Sequence, residues 1–274
     1  MNLGNARNLI FLPHIPNKEE NIENISQCHV CLDKTKLSRE HIPPRKAFNN
    51  FNKLWEKMVE DAPKLKTRSV AIKGGFWAET VCKKCNNEIG SQYAKEYVTF
   101  VQQLILKPTI YESKGDAVLI SVNADAFMIA KEIAMMILAF ESIDFAKQNY
   151  ELRKFVMEKN YVLKPDYKIL SFLVPDLPQA GTLTRFHARA DVFAPGFGFT
   201  GGEISFYPIG FIYAEKIGKG YEVEKMTDIS HWFSEGDPSS RRNTIIKLYK
   251  RISGAESMHV IFSGKRFKPQ ISYA

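Results

Sequence analysis

Four cysteines in two identical pairs constrain the fold of this chain more than any other sequence feature. Cys28 and Cys31 form the first pair, in the motif CHVC, and Cys82 and Cys85 form the second, in CKKC. Each motif is a short turn that directs two thiolates to one point, so the two turns supply the sulfur ligands of a tetrahedral zinc ion. The spacing therefore predicts that a Zn²⁺ ion closes the intervening 50 residues into a loop.

A zinc ion held by four thiolates has no open coordination position, so the predicted ion is structural. Its expected role is to hold the segment that carries Glu40 and His41 against a helix that begins near Cys85. The two pairs use every cysteine of the chain, which leaves none for a disulfide and is typical of the reducing cytoplasm. The most apolar stretch, residues 126–140, contains two charged residues and is too short to span a bilayer, so we expect no membrane partner.

The positive charge of the chain is concentrated around the cysteine pairs. The formal net charge is +8, and residues 28–107 contain 15 Lys and Arg residues against 8 Asp and Glu. The other residues contain 23 against 22. A basic segment of this kind suits a nucleic acid, because each neutralised phosphate releases condensed counterions. A solvated basic surface without a ligand is the alternative, and the coincidence with the zinc motif favours a nucleic-acid partner.

The distribution of apolar and turn-forming residues predicts an α+β fold in three segments. We expect an N-terminal arm over residues 1–27, a zinc-stapled unit over 28–107 and a larger mixed α+β domain of unassigned role over 108–274. The sequence contains no internal repeat and no low-complexity tract.

Local patterns predict the elements within these segments. In the zinc-stapled unit, apolar residues from Phe48 to Met58 recur at helical spacing, and Pro63 is expected to end this helix. Two short strands are expected around the Gly74-Gly75 turn, followed by a helix after the last cysteine that is interrupted near Gly90. The larger domain is expected to contain strands over most of 109–123, one long helix over 124–148, and further strands in KILSFLVP, GTLTRFHARADVFAP, EISFYPIGFIYAE and MHVIFSG.

A Glu-His dipeptide between the cysteine pairs carries groups suited to hydrolysis. Glu40 offers a hard oxygen ligand for Mg²⁺ or Mn²⁺, and the amide oxygen of Asn86, directly after the last cysteine, offers another. The imidazole of His41 titrates near neutral pH and can accept a proton from water. Pro43 and Pro44 are expected to hold the chain after His41 in an extended loop. These residues supply a Lewis-acid site and a base on a basic surface, and an exposed turn without chemistry is the alternative.

The combined pattern C-x-x-C … E-H-I-P-P … C-x-x-C-N-N-x-x-G resembles the HNH endonuclease family. In particular, it is similar to the four-cysteine branch with a Glu-His-x-x-Pro signature, which is of the ββα-metal or treble-clef type. The resemblance covers residues 28–107. It implies a zinc-stapled ββα-metal nuclease module, followed by an accessory domain, in an endonuclease that hydrolyses DNA phosphodiester bonds with the help of a metal ion.

The resemblance also implies roles for individual residues. His41 matches the general base of the family, and Glu40 matches the metal ligand that precedes it. Asn86 stands where the strict pattern has a histidine as second metal ligand, and asparagine variants occur in the family. The family's middle asparagine, which braces the loop that holds the base, has no counterpart in the stretch FWAETV before the second cysteine pair, so Asn87 is only a candidate helper. The implied cofactors are structural Zn²⁺ and catalytic Mg²⁺ or Mn²⁺. The residues that would contact flanking phosphates are Arg45, Lys46, Lys83 and Lys84.

Two other interpretations stay open. A zinc-finger module that binds nucleic acid or protein without catalysis would account for the substituted histidine and the missing asparagine, although it has no need of the Glu40-His41 pair. A third interpretation places the activity in residues 117–274 and treats the zinc unit as an anchor. RNA as a substrate and a homo-oligomeric state also stay open. In the C-terminal half, one face of the predicted strand TRFHARADVF suits either solvent or a phosphate ligand, and it consists of Arg185, His187, Arg189 and Asp191.

Overall fold

The computed structural model describes residues 25–50, 53–61, 64–72, 74–163, 167–174, 181–189, 198–215, 226–234 and 241–250. Helices and strands are mixed along these residues, as the sequence predicts for an α+β protein. Residues 1–24 of the expected N-terminal arm lie outside them. In chain order the elements are β1 (Ile25–Gln27), β2 (Lys34–His41), β3 (Lys53–Asp61), β4 (Lys64–Ile72), β5 (Trp77–Cys82), α1 (Lys83–Cys85), a π-helical turn (Asn86–Gly90), α2 (Ser91–Ile105), α3 (Thr109–Glu112), β6 (Ala117–Ala124), α4 (Ala126–Phe140), α5 (Ile143–Gln148), α6 (Tyr150–Met157), β7 (Tyr167–Leu173), β8 (Gly181–Arg189), β9 (Gly198–Phe206), β10 (Ile209–Glu215), β11 (Thr227–Asp228), a 3₁₀ turn (Ser230–Phe233) and β12 (Arg242–Tyr249).

The two cysteine pairs lie at one end of a three-stranded antiparallel sheet with the order β1-β2-β5. The first pair occupies the turn between β1 and β2, and the second pair begins at the last residue of β5 and ends at α1. In the β2-β5 ladder, Glu40 lies opposite Ala78 and His41 lies opposite Trp77, after a register shift between Ser38 and Arg39. The sheet therefore connects the cysteine turns with the Glu-His dipeptide.

The helix predicted between Phe48 and Met58 is wrong, because this part of the chain forms strand β3. Strand β3 pairs with β4 over nine residues, from the pair Lys53 and Ile72 to the pair Asp61 and Lys64. Helical spacing in a short apolar run does not distinguish a helix from a strand, and β4 offers the backbone of β3 an adjacent partner. Strands were expected on both sides of the Gly74-Gly75 turn, and β4 and β5 are those strands, but each pairs with a different partner.

The helices after the second cysteine pair agree in part with the prediction. A π-helical turn ending at Gly90 separates α1 from α2, as the interruption expected near that glycine requires. The single helix expected over 124–148 is wrong, because the chain forms α4 and α5 there. Ser142 begins α5 by accepting a hydrogen bond from the backbone N–H of Phe145, and this cap ends the continuity of the helix. The start of the segment 109–123 also differs, since α3 precedes β6.

Helix α4 is the centre of the core. Apart from Ala126 and Met128, all its side chains are buried, and the helix packs against α2, α6 and β5. A helix that is apolar around its whole circumference is typical of such a position. Lys131 is fully buried on this helix, and its ammonium group donates hydrogen bonds to the carbonyls of Phe155, Glu158 and Tyr161 at the end of α6. Lys131 therefore caps α6 at its C-terminus, and the carbonyl of Glu158 also accepts from the N–H of Tyr161.

The remaining strands form two further antiparallel sheets. β6 pairs with β12, and the other strands form a five-stranded sheet with the order β11-β7-β10-β9-β8. The strands expected in KILSFLVP, GTLTRFHARADVFAP and EISFYPIGFIYAE are confirmed as β7, β8, and β9 with β10. The segment MHVIFSG lies outside the described residues.

Candidate functional site

The four cysteine thiols lie together, as the sequence predicts. All four sulfur atoms are within 4.8 Å of one another, and the Sγ atoms of Cys31 and Cys82 are 4.0 Å apart. Zn–S bonds of about 2.3 Å in a tetrahedral site place two sulfurs roughly 3.8 Å apart, so the spacing fits one zinc ion. The cluster could therefore hold a zinc ion with four sulfur ligands.

Backbone groups around the cluster favour the thiolate form. The N–H groups of Val30 and Cys82 donate to the Sγ atom of Cys28, at 3.4 and 3.3 Å. The thiol of Cys85 is the main cause that lowers the pKa of Cys28 to about 4, against the effect of burial. Burial raises the pKa of Cys31 to about 12. The hydrogen bond with Cys28 and burial raise the pKa of Cys85, so Cys28 forms a thiolate easily while Cys31 and Cys85 resist charge. A bound cation would stabilise the thiolates, which are the form that binds metal.

Glu40 and His41 are adjacent residues at the end of β2 and have different environments. Glu40 is 7% exposed, and burial raises the pKa of its carboxyl to about 7. His41 is half-buried; burial lowers its pKa, and the charges of Arg45 and Arg39 lower it further. A backbone hydrogen bond with Gly74 acts in the opposite direction on the pKa of His41. A ring N–H that donates to a carbonyl leaves the second ring nitrogen as a proton acceptor, which is the form a general base needs.

Asn49 braces the loop that follows His41, and the sequence patterns gave no sign of it. This side chain is fully buried, and its amide nitrogen donates to the carbonyls of Pro43 (2.7 Å) and Phe76 (2.8 Å). Its amide oxygen accepts from the N–H of Phe76 at 2.7 Å. Asn49 thus ties the loop after His41 to the start of β5. The stretch FWAETV contains no asparagine, and Asn49 lies 27 positions before Phe76 in the chain.

Gly75 allows Asn49 to approach β5. The φ angle of Gly75 is 92°, and a Cβ atom at this position would lie 1.7 Å from the backbone oxygen of Asn49. The neighbouring Gly74 also has a positive φ, of 75°, but a Cβ there would meet no atom within 4 Å. Close contact therefore requires glycine at position 75 in addition to its backbone conformation.

Asn86 lies beside the strand that carries Glu40, as the metal-ligand hypothesis requires. Its amide nitrogen donates to the backbone carbonyl of Arg39 at 3.0 Å and to the hydroxyl of Ser38 at 3.2 Å. Both bonds use the nitrogen, so among the described residues the amide oxygen has no hydrogen-bond donor. This oxygen and the carboxylate of Glu40 are hard donors of the kind that Mg²⁺ and Mn²⁺ prefer. Asn87, the candidate helper, is exposed, and the bracing role that was considered for it belongs to Asn49.

The predicted phosphate-contacting residues are all at the surface. Arg45, Lys46, Lys83 and Lys84 are exposed. Arg39, two residues before His41, lies over the ring of Trp77 at 4.2 Å and contacts the carboxylate of Glu79 at 3.3 Å. The side chains of the predicted cationic face around Arg185 and His187 lie outside the described part of the structure, so that prediction stays untested.

No protein-family model, curated protein or solved structure matches this chain. Its function therefore has to be inferred from the geometry and the chemistry of its own residues. Within the described residues, no helix combines the length and the apolar character needed to cross a membrane.

Proposed function

We propose that this protein is a metal-dependent endonuclease of the HNH type that hydrolyses DNA phosphodiester bonds. The observation that carries the proposal is the position of Asn86, whose amide nitrogen bonds to the carbonyl of Arg39, directly before Glu40 and His41. Two hard oxygen donors and a histidine base thus belong to adjoining segments, although 45 positions separate the histidine from the asparagine. The elements β2, β5 and α1, with the β3-β4 hairpin between the two strands, would suit the ββα order of a ββα-metal or treble-clef module.

The proposed reaction is hydrolysis by a water molecule that His41 activates. The ring nitrogen that does not face Gly74 takes a proton from this water, whose oxygen bonds to phosphorus while the bond to the 3′ oxygen breaks. Glu40 and Asn86 would hold the Mg²⁺ or Mn²⁺ ion, which supplies charge stabilisation for the phosphorane-like transition state and the departing oxygen. The lowered pKa of His41 keeps the imidazole neutral, and therefore basic, at neutral pH.

Three parts of the structure support this chemistry without taking part in it. The cysteine cluster, with zinc bound, joins the hairpin to α1 and so holds Asn86 next to β2. Asn49 fixes the loop that follows His41. The exposed residues Arg45, Lys46, Lys83 and Lys84 would bind phosphates on either side of the cut.

The test is cleavage of supercoiled plasmid by the zinc-loaded full chain with Mg²⁺ or Mn²⁺. We expect divalent-dependent nicking that falls by about 10²- to 10⁴-fold in His41→Ala, with zinc content and circular dichroism unchanged. The matched control is His231→Ala, since His231 is an exposed histidine in another part of the chain, and it should cleave like the wild type. Full activity in His41→Ala would mean that another residue is the general base. Failure of the wild type to cleave a panel of DNA and RNA, despite binding them, would favour a zinc-dependent binding module instead.

A further inference from the structure

A second buried carboxylate, Glu132 on helix α4, has no hydrogen-bond partner within the described part of the chain. Its side chain is fully buried, and neither carboxylate oxygen accepts a hydrogen bond there. The other fully buried charge of α4, Lys131, has three carbonyl partners, so the helix does not leave its charges unpaired in general. An unpartnered ionised carboxylate in a protein core is costly, and such groups are normally paired or bound to a metal.

Helix α4, which carries Glu132, packs against the sheet that carries Glu40. Helix α4 is docked on this sheet, because the hydroxyl of Thr80 donates to the carbonyl of Ala139 at 2.7 Å. Glu132 and Ala139 are seven residues apart, which is about two helical turns, so they lie on the same face of α4. On the sheet, Glu40 and Ala78 form a cross-strand pair, and both are buried. The charge of Glu40 adds to burial in raising the pKa of Glu132 well above its usual range, as expected for neighbouring carboxyls.

We propose that Glu132 and Glu40 bind one divalent cation between them, with the amide oxygen of Asn86 as a neutral third ligand. The proposal rests on the proposed function, because it concerns the same Mg²⁺ or Mn²⁺ ion, and it adds a ligand from outside the segment that carries the HNH-like motif. The donors are two carboxylates and an amide oxygen, a hard set that suits Mg²⁺ and Mn²⁺ and does not suit the zinc of the cysteine cluster. Two negative charges in the core are balanced by one divalent ion.

The proposal changes the role of the C-terminal part of the chain. Residues 108–274 were expected to form an accessory domain, and α4 belongs to them. With Glu132 as a ligand, this part of the chain helps to build the metal site, so that the nuclease module alone would lack one of its two carboxylates.

The experiment is a titration of the zinc-loaded full chain with Mn²⁺, in which the electron paramagnetic resonance signal of free Mn²⁺ reports binding without any DNA. The variants are Glu40→Gln, Glu132→Gln and, as matched control, Glu141→Gln. Glu141 is also a buried glutamate at the end of α4, but its carboxylate accepts hydrogen bonds from Tyr213 and from the N–H of Ser142. We expect the Kd for Mn²⁺ to rise by at least about tenfold in Glu40→Gln and in Glu132→Gln, and to stay at the wild-type value in Glu141→Gln.

Folding is measured on the same samples. Without a divalent ion, Glu132→Gln should melt close to the wild-type temperature, because the raised pKa of Glu132 favours its neutral carboxyl and the amide that replaces it is neutral and of similar size. Glu132→Leu, which replaces the carboxylate with an apolar side chain suited to the core, should bind Mn²⁺ as weakly as Glu132→Gln.

The outcomes separate this inference from the proposed function. Weakened Mn²⁺ binding in Glu40→Gln together with wild-type affinity in Glu132→Gln and Glu132→Leu would overturn the role of Glu132 and leave the nuclease proposal intact. Wild-type affinity in all variants would overturn the inference and place the ion elsewhere. Loss of affinity in the Glu40 and Glu132 variants alone would support it, whether or not the protein cuts plasmid DNA.

Discussion

At the scale of single residues, Asn49 links two backbone segments beside His41, the proposed base. One amide satisfies three backbone groups, on Pro43 and Phe76, that belong to segments far apart in the sequence. Both segments border His41, because the loop begins at Ile42 and Phe76 accepts a further hydrogen bond from the N–H of Ile42. In the proposed mechanism, Asn49 is therefore a positioning residue for His41 and does not itself touch the reacting atoms.

Asn49→Ala should lower stability and cleavage together. The substitution removes the hydrogen bonds that Asn49 makes to the N–H of Phe76 and to the carbonyl of Pro43, which costs about 2–4 kcal/mol. Urea unfolding measures the loss of free energy, and plasmid nicking at a temperature where the variant stays folded measures the displacement of His41. Asn87→Ala is the control, because Asn87 is exposed, and both measurements should match the wild type. An Asn49→Ala protein that is destabilised but cleaves normally would show that the brace does not position the base.

Alanine substitutions at Gly74 and Gly75, just before β5, separate the effect of backbone conformation from that of the contact with Asn49. Gly74→Ala introduces a side chain at positive φ into open space, and should cost about 1–2 kcal/mol. Gly75→Ala adds a clash with the backbone of Asn49, so it should cost at least about 2 kcal/mol more and should also reduce cleavage. Urea denaturation of both variants checks the difference. Equal losses would mean that only the backbone conformation, and not the contact with Asn49, matters at position 75.

The residues of the site differ in how far the sequence predicts them. The cysteine ligands follow from spacing alone, since each pair is a local turn. Glu40, His41 and Asn86 follow from motifs next to those turns. Asn49 and Glu132 do not, because their positions depend on the pairing of β2 with β5 and on the docking of α4, which bring distant segments together.

At the scale of elements, the cysteine cluster joins the β1-β2 hairpin to α1. Removal of zinc by a thiol-compatible chelator, or Cys85→Ser, should therefore lower the thermal unfolding midpoint and abolish cleavage, because Asn86 follows Cys85 directly. A cavity of about 420 Å³ borders Cys31 and Cys85. Circular dichroism measures the unfolding midpoint, and metal analysis measures the loss of zinc. Adding back Zn²⁺, but not Mg²⁺, should restore both the midpoint and cleavage. An unchanged midpoint after complete zinc loss would contradict the stapling role.

The sequence predicts the type of an element well where its local pattern is unambiguous. It predicts the type poorly where pairing with another strand determines whether the segment is extended. The π-helical interruption at Gly90 and the strands β7 to β10 carry strong local patterns. Strand β3 does not, because its apolar residues fit a helical period and only the ladder with β4 selects the extended form. The division of the helix at Glu141 depends on a serine cap, a signal that a count of apolar residues overlooks.

At the scale of the whole molecule, the positive charge should set how salt affects the proposed binding of DNA. Each lysine that ceases to neutralise a phosphate should reduce the slope of log Kd against log salt concentration by about 0.9. We expect Lys83→Ala with Lys84→Ala to lower the slope for duplex DNA, whereas Lys114→Ala with Lys147→Ala should leave it unchanged. The second pair is also exposed but lies outside the basic segment. Fluorescence anisotropy at several salt concentrations measures the slopes, and equal slopes for the two double variants would exclude residues 83 and 84 from the interface.

The two adjacent buried charges of α4 also fix how this helix is turned about its own axis. Lys131 and Glu132 project about 100° apart, one toward the carbonyls at the end of α6 and the other toward the sheet. A rotation by one residue in one sense would bring Glu132 to the carbonyl oxygens in place of Lys131, and a rotation in the opposite sense would bring Lys131 to the sheet in place of Glu132. The apolar side chains around the rest of α4 would be buried in either rotation of the helix and so discriminate little between them. We therefore expect Lys131 and Glu132 to select one rotation of α4 about its own axis. That rotation also determines how the neighbouring elements pack against α4.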